Sequence, residues 1–115
     1  YHYIGLEHAQ SIYSIALDNR ATGFTKNYNA DVASYAKKDL KKGDKLDGEG
    51  GFCARGRLIT SEKSKNEKIL PLGLTDNAVL KKDINKDDII SLNDVELNLP
   101  QEVVKAREYQ YNIIN

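Results

Sequence analysis

Two stretches of this chain repeat one charged pattern, and this internal repeat constrains the fold more than any other feature of the sequence. Residues 37–46 read KKDLKKGDKL and residues 81–90 read KKDINKDDII. Half of the aligned positions are identical, and the apolar positions are conservatively matched. Two copies are too few for a solenoid, which needs about three or more repeats. The repeat therefore predicts a pseudo-twofold domain of short strands.

Each copy of the repeat reads as a strand end, a tight turn and an apolar residue that returns to the core. Gly43 stands where the first turn needs a positive φ. We expect the matched pairs Leu40/Ile84 and Leu46/Ile90 to point inward and the charges to face water. A chance match in a lysine-rich chain is the alternative explanation.

The chain before the first copy reads as one helix followed by a loop. Apolar side chains recur at helical spacing in a single stripe. The stripe consists of Ala9, Ile12, Tyr13, Ala16 and Leu17. Residues 18–20 offer a plausible end, and residues 21–29 contain the Gly and Asn residues that are typical of a loop.

Short strands are predicted between and around the two copies. They are expected at residues 32–35, around Leu46, at residues 52–59 and from Val79 onward. Residues 60–68 are polar and charged, which favours an exposed loop.

The last part of the chain predicts one turn and one helix. Asn93 or Asp94 is expected to cap a single turn. Pro100 stands where a helix can begin, because its missing N–H is not needed there. Good helix formers follow over residues 101–109, and the residues from Gln110 onward read as a ragged terminus.

Composition narrows the classes of partner and the compartment. The 17 Lys and Arg residues balance the 17 Asp and Glu residues, so we expect neither nucleic acid nor a membrane as a partner. The single cysteine, Cys53, has no partner for an internal disulfide, which favours a cytoplasmic location. The chain begins with Tyr1 and contains no Met, so we expect a fragment or a processed product.

Residues 36–46 resemble the repeated element of the SAF superfamily, A-x-x-D-I-x-x-G-x-x-L. This fold is shared by type III antifreeze proteins and the C-terminal domain of sialic acid synthases. Residues 80–90 resemble the second element, with Asp87 where Gly is common, and residues 91–96 resemble the closing segment. The resemblance implies a mostly β fold with short helices. It is a β-clip (SAF-like) domain of short strands and long loops, preceded by one N-terminal helix and followed by a short C-terminal helix.

Further segments resemble one subgroup of that superfamily. They are LDGEGGFCARG at residues 46–56, LPLGL at residues 70–74 and YHYIGLE at residues 1–7. Similar segments occur in the SAF domain that ends homoserine-dehydrogenase-like, NAD(P)-dependent oxidoreductases, a group that includes the DXP-reductoisomerase-like enzymes. The resemblance implies three parts: residues 1–29 as a linking helix and loop from the catalytic domain, residues 30–99 as the β-clip domain, and residues 100–115 as a helix and tail.

The glycine-rich segment is the first candidate for a ligand site. Glu49, Gly50 and Gly51 can contribute to an anion cradle, but the segment lacks both the G-x-G-x-x-G and the P-loop pattern. A turn that needs glycine for its geometry is the simpler explanation. Arg55 and Arg57 share one face of an extended segment and can bind an anion with Glu49 as the orienting group. Ordinary surface charges are the simpler explanation of the two arginines.

The titratable residues near the start are candidates for contacts with another domain. They are His2, Glu7 and His8. A metal site needs further ligands at suitable spacing, and the sequence offers none, so no metal site is expected. Cys53 has no His nearby and reads as a small buried hydrophobe. We expect no catalytic residue in this chain.

The leading hypothesis is a non-catalytic C-terminal accessory domain of an NAD(P)-dependent oxidoreductase. It would serve interdomain packing, subunit packing or covering of the active site. Its partners would be the parent's catalytic domain and, in a homo-oligomer, a second copy; NAD(P) would bind outside this chain, which would hold no cofactor. The alternatives are a sugar- or sugar-acid-binding module, as in sialic acid synthases, and a SAF domain of flagellar or pilus assembly.

Overall fold

The computed structural model describes residues 3–23 and 27–113, in which short strands alternate with short helices. In chain order the elements are α1 (Ile4–Ala16), β1 (Ala30–Ala36), β2 (Lys45–Asp47), β3 (Ala54–Thr60), α2 (Ser61–Asn66), β4 (Asp76–Leu80), β5 (Val95–Glu96) and α3 (Gln101–Ile113). Two single-turn 3₁₀ helices lie at Leu72–Leu74 and Leu92–Asp94. The predicted fold class, mostly β with short helices between an N-terminal and a C-terminal helix, is confirmed.

The strands form two small antiparallel sheets. β1 pairs with β3 along its whole length, from Ala30 opposite Thr60 to Ala36 opposite Ala54. β4 lies between β2 and β5 in the second sheet. Isolated bridges join β1 to segments outside the strands and join other such segments to one another, so long loops replace regular sheet over much of the domain.

The two copies of the repeat fold into equivalent conformations and hydrogen-bond to each other. The Leu40 N–H donates to the Ile84 carbonyl at 2.8 Å, and the Ile84 N–H donates to the Leu40 carbonyl at 2.9 Å. Gly43 has φ 90° and Asp87, at the equivalent position, has φ 69°. The predicted positive φ at Gly43 is therefore confirmed, and Asp87 adopts the same left-handed conformation without glycine.

The aspartate of each copy binds the turn of the other copy. Asp39 Oδ1 accepts from the Lys86 N–H at 2.8 Å, and Asp83 Oδ1 accepts from the Lys42 N–H at 2.8 Å. The exchange follows the pseudo-twofold relation, which explains why both copies need Asp at this position.

The core lies between the two copies and the sheets. Its most deeply buried large side chains are Leu40, Leu46, Ile69, Leu70, Leu80 and Ile90. Ile84 is also buried, so the prediction that the matched apolar pairs point inward is confirmed. Burial of these side chains supplies most of the driving force, because removal of apolar surface from water is worth roughly 25 cal/mol per Å².

The polar stretch after β3 was predicted to be a loop, and this prediction was wrong. Residues Ser61–Asn66 form α2, whose N-terminus is capped by Thr60: the Thr60 hydroxyl accepts from the Lys63 N–H at 3.2 Å. Ser64 is buried against β1, so tertiary packing stabilises a helix too short to be stable in isolation.

Three boundaries also differ from the predictions. The single turn after the second copy is capped by Ser91, whose hydroxyl accepts from the Asn93 N–H, while Asp94 completes the cap by accepting from the Ser91 N–H. β4 begins at Asp76 and ends at Leu80, so Val79 lies near its end. α3 continues to Ile113, past the point at which a ragged terminus was expected.

The molecule is more elongated than a compact domain with the same number of residues. Its radius of gyration is 17.7 Å, and its principal extents are 54 × 32 × 25 Å. A compact chain of this length has a radius of gyration of about 13 Å. No residue of α1 is buried, so the N-terminal helix contributes to the elongation.

Candidate functional site

The glycine-rich segment between β2 and β3 forms a turn around the side chain of Asp47. The Asp47 carboxylate accepts from the Phe52 N–H at 2.5 Å and from the Cys53 N–H at 2.9 Å. These backbone hydrogen bonds lower the pKa of Asp47 to about 2. The two N–H groups are therefore already used within the turn, where a phosphate cradle would need them free.

The same turn explains two of the glycines. Gly50 has φ 78°, a conformation that favours glycine. A Cβ on Gly51 would lie 2.3 Å from Asp47 Cγ, which no side chain tolerates. Both glycines serve the geometry of the turn, as the simpler explanation of the sequence proposed.

Arg55 and Arg57 share one face of β3, as predicted, but each has a partner in the chain. The Arg55 guanidinium pairs with the Asp87 carboxylate at 2.6 Å. The Arg57 guanidinium lies over the ring of Tyr35, 5.1 Å from its centroid. Glu49 does not join them, because it lines a separate cleft.

That cleft lies beneath α3 and has a volume of about 460 Å³; we call it the α3 cleft. Its lining consists of Asp31, Val32, Glu49, Pro71, Leu72, Gly73, Leu74, Val103, Ala106, Arg107 and Gln110. Apolar walls with a few polar groups and a volume of several hundred Å³ are typical of small-molecule sites. Of the candidate ligand-binding residues, only Glu49 contributes to it.

An ion pair at the end of the α3 cleft joins α3 to β1. The Arg107 guanidinium contacts the Asp31 carboxylate, and only 16% and 8% of the two side chains are exposed. The Tyr28 hydroxyl accepts from Arg107 at 2.6 Å and donates to Asp31 at 2.6 Å. Ser64 donates to the same carboxylate, so α2 joins the cluster as well. We call these residues, with Tyr111, the Arg107 cluster.

The Arg107 cluster also has an aromatic part. The Arg107 guanidinium lies 5.2 Å from the ring centroid of Tyr28 and 4.6 Å from that of Tyr111. Burial favours protonated Asp31, but the hydrogen bonds from Ser64 and Tyr28 and the charge of Arg107 outweigh it and lower the pKa of Asp31. The pKa of Tyr28 is raised, mainly by burial and by its hydrogen bond to Asp31. The Asp31 carboxylate and the Arg107 guanidinium therefore stay charged at neutral pH.

Sequence reasoning missed the Arg107 cluster almost completely. Arg107 falls within the predicted C-terminal helix, but Asp31 lies 76 positions earlier in the chain. The only available signal was an arginine on the apolar side of a helix, a position that favours a buried partner.

The second candidate site is the surface of α1. Its apolar side chains are exposed to solvent, with Leu6 at 82% and Leu17 at 78%. Glu7 and His8, the candidates for interdomain contacts, lie on this helix; His2 lies outside the described residues. The Arg20 N–H donates to the Ser14 carbonyl at 3.0 Å, so the following loop folds back on the helix.

Residues 3–23 and 27–113 contain neither a candidate metal site nor a candidate membrane span. No group of three or more His, Cys, Asp or Glu side chains there is arranged to hold a metal ion. None of the helices in that part of the chain is long and apolar enough to cross a membrane.

Comparison with known families identifies the fold. No curated protein matches the chain. The sequence profile of the SAF domain matches residues 33–96, which contain both copies of the repeat and both sheets except for the first residues of β1. The match covers more than half of the chain, and the crossed aspartates lie within it. The chain therefore belongs to the SAF domain family.

Proposed function

We propose that this SAF domain is a non-catalytic accessory domain of an NAD(P)-dependent oxidoreductase and that α1 attaches it to the catalytic domain. The observation that carries the proposal is the exposure of the apolar residues of α1. A helix whose apolar face stays in water is unfavourable, since each large apolar side chain gains about 1.5–3 kcal/mol on burial. Contiguous exposed apolar surface of this kind marks an interaction site.

The nature of the partner is inferred from the resemblance of three segments to the SAF domains of homoserine-dehydrogenase-like proteins. On this proposal residues 1–29 link the two domains, residues 30–99 form the accessory domain and residues 100–115 form a helix and tail that close one side of it. Interdomain packing is the primary role, and the reaction and its nicotinamide cofactor belong to the catalytic domain. His8, in the apolar surface of α1, would lie at the interface.

Nucleotide binding by the complete gene product tests this proposal. Fluorescence titrations with NADH and NADPH are compared between the complete gene product and the 115-residue chain. We expect binding of one or both nucleotides by the gene product and no binding by the chain. Dehydrogenase activity of the chain alone, or a gene product that binds neither nucleotide, would contradict the proposal.

A second candidate function, binding of a sugar acid, is favoured by the α3 cleft. The cleft combines apolar walls with Arg107, Gln110 and Glu49, which supply charged and hydrogen-bonding groups. Titration with galacturonate and with N-acetylneuraminate, followed by NMR, tests this function. Saturable shifts at Gly73, Ala106 and Gln110 would support it, whereas shifts spread over the surface or none at all would exclude it.

A further inference from the structure

The apolar surface of α1 extends over much more of the helix than one partner surface can cover. At 3.6 residues per turn, Ile4 and Ile15 lie within about 20° of each other, and we call them the first face. The second face consists of Leu6, Tyr13 and Leu17, which lie within about 40° of one another. The centres of the two faces are about 170° apart, so they point in nearly opposite directions.

Small or apolar residues connect the two faces on one side of the helix. These bridging residues are Gly5, Ala9, Ile12 and Ala16, and His8 is the one polar residue on this side. The complete apolar arc spans about 220°, whereas a helix that lies on a core with one side needs an apolar stripe of about 100°. A helix that is apolar over most of its circumference is normally enclosed by its neighbours.

The chain itself occupies the polar side of α1. The polar arc consists of Glu7, Gln10, Ser11 and Ser14. Of these, Gln10, Ser11 and Ser14 line a cleft together with the loop at residues 20–23. The helix thus turns its polar side to its own chain and its apolar arc outward, the reverse of what a helix does within its own domain.

We propose that α1 is inserted between two elements of the catalytic domain, one of which packs on the first face and the other on the second. This inference rests on the proposed function, which supplies the partner. The small residues Gly5, Ala9 and Ala16 let a third part of the catalytic domain approach the helix backbone closely. The SAF domain would then be attached by a helix that completes the partner's own core.

The other occupants of such a helix fit these observations less well. A second copy of α1 would pack along one face of each helix and leave the opposite face in water. A helix that lies on an anionic membrane carries Lys or Arg on its polar side. The polar arc of α1 carries Glu7 and neither Lys nor Arg.

Cysteine labelling on opposite sides of the helix tests whether the catalytic domain covers both faces of α1. Single replacements Ile15→Cys, Leu6→Cys and Ser14→Cys report on the first face, the second face and the polar arc. Each variant is made in the complete gene product and in the 115-residue chain, and maleimide labelling is measured by peptide mass spectrometry. Ile15 and Leu6 are exposed in this chain, Ser14 is partly exposed, and Cys53 is buried. Circular dichroism of the chain checks that each variant folds.

We expect all three cysteines to react rapidly in the 115-residue chain. In the gene product, Ile15→Cys and Leu6→Cys should react at least about 100-fold more slowly than in the chain, while Ser14→Cys changes by less than about tenfold. Protection of only one face would overturn the insertion between two elements and leave the attachment through α1 intact. Protection of neither face would overturn both the insertion and the attachment through α1.

Two further outcomes identify a different occupant, and each overturns the inference. If labelling in the 115-residue chain slows as its concentration rises, the occupant is a second copy. If it slows only when phosphatidylglycerol vesicles are added, and the gene product without vesicles is unprotected, the occupant is a membrane.

Discussion

At the scale of single residues, the ion pair between Arg107 and Asp31 determines where α3 lies. Replacing one member of a buried pair leaves the other charge without compensation, which costs about 3–5 kcal/mol. We expect Asp31→Asn to lower the free energy of unfolding by about 3 kcal/mol or to release α3, as measured by urea denaturation and by amide exchange in α3.

The matched control is Asp18→Asn, which affects an exposed ion pair. Asp18 and Arg20 are 3.9 Å apart, and both side chains are more than half exposed. Such pairs contribute about 0–1 kcal/mol. Equal effects of the two substitutions would show that the Arg107 cluster does not hold α3.

The same carboxylate predicts an acid transition. The pKa of Asp31 is lower in the folded protein than its ordinary value of about 3.9, so protons bind the unfolded chain more readily. The stabilisation by this group is fully present above about pH 4 and is lost as the pH falls through the lower folded value. Docking of α3, followed by amide exchange and circular dichroism, should be constant between about pH 5 and 7 and weaken below about pH 3. A transition near pH 6, or an equal acid transition in Asp31→Asn, would contradict this assignment.

A glycine pair tests the turn around Asp47. Gly51→Ala places a methyl group against the Asp47 carboxylate, whereas Gly73→Ala adds a methyl group with no atom within 4 Å. We expect Gly51→Ala to cost about 1–3 kcal/mol in the free energy of unfolding, since overpacking and lost hydrogen bonds both contribute. Gly73→Ala should change it by less than about 0.5 kcal/mol. Urea denaturation measures both, and equal values would show that the turn can rearrange.

At the scale of elements, the crossed hydrogen bonds of the two copies predict a symmetric response to mutation. Asp39→Ala and Asp83→Ala each remove the acceptor for one backbone N–H of the opposite turn, so the two substitutions should lower the free energy of unfolding by similar amounts. Asp39→Asn keeps an acceptor oxygen and should recover most of the loss. Thermal and urea denaturation check the three variants. A loss in only one of the two Ala variants would show that the copies are similar in shape but unequal in energy.

The repeat could be predicted from the sequence because its signal is local. Identical charges and matched apolar residues, such as Leu40 and Ile84, fall at equivalent positions, and the pattern itself states which residues face the core. The helix α2 could not be predicted in this way, because Ser61–Asn66 are polar and the helix depends on the Thr60 cap and on contact with β1. The Arg107 cluster was equally inaccessible, since a contact over 76 positions leaves no periodic trace.

At the scale of the whole molecule, the two terminal helices differ in what they contribute. α3 is joined to the sheet domain by a buried ion pair and by Lys65, which donates to the Tyr111 carbonyl at 3.1 Å. α1 contributes no buried residue. The resemblance of the sequence implied that residues 1–29 link this domain to another, but it gave no sign that an ion pair joins α3 to β1.

Two truncations separate these roles. A chain of residues 27–113 keeps Tyr28 and lacks α1, so its thermal midpoint should lie within about 3 °C of the midpoint of the full chain. Removing residues 101–115 instead leaves Asp31 without its arginine, and at about 4–8 °C per kcal/mol the midpoint should fall by roughly 15 °C. If loss of α1 lowered the midpoint as much as loss of α3, the N-terminal helix would belong to the core of this domain, and its apolar arc would need no partner.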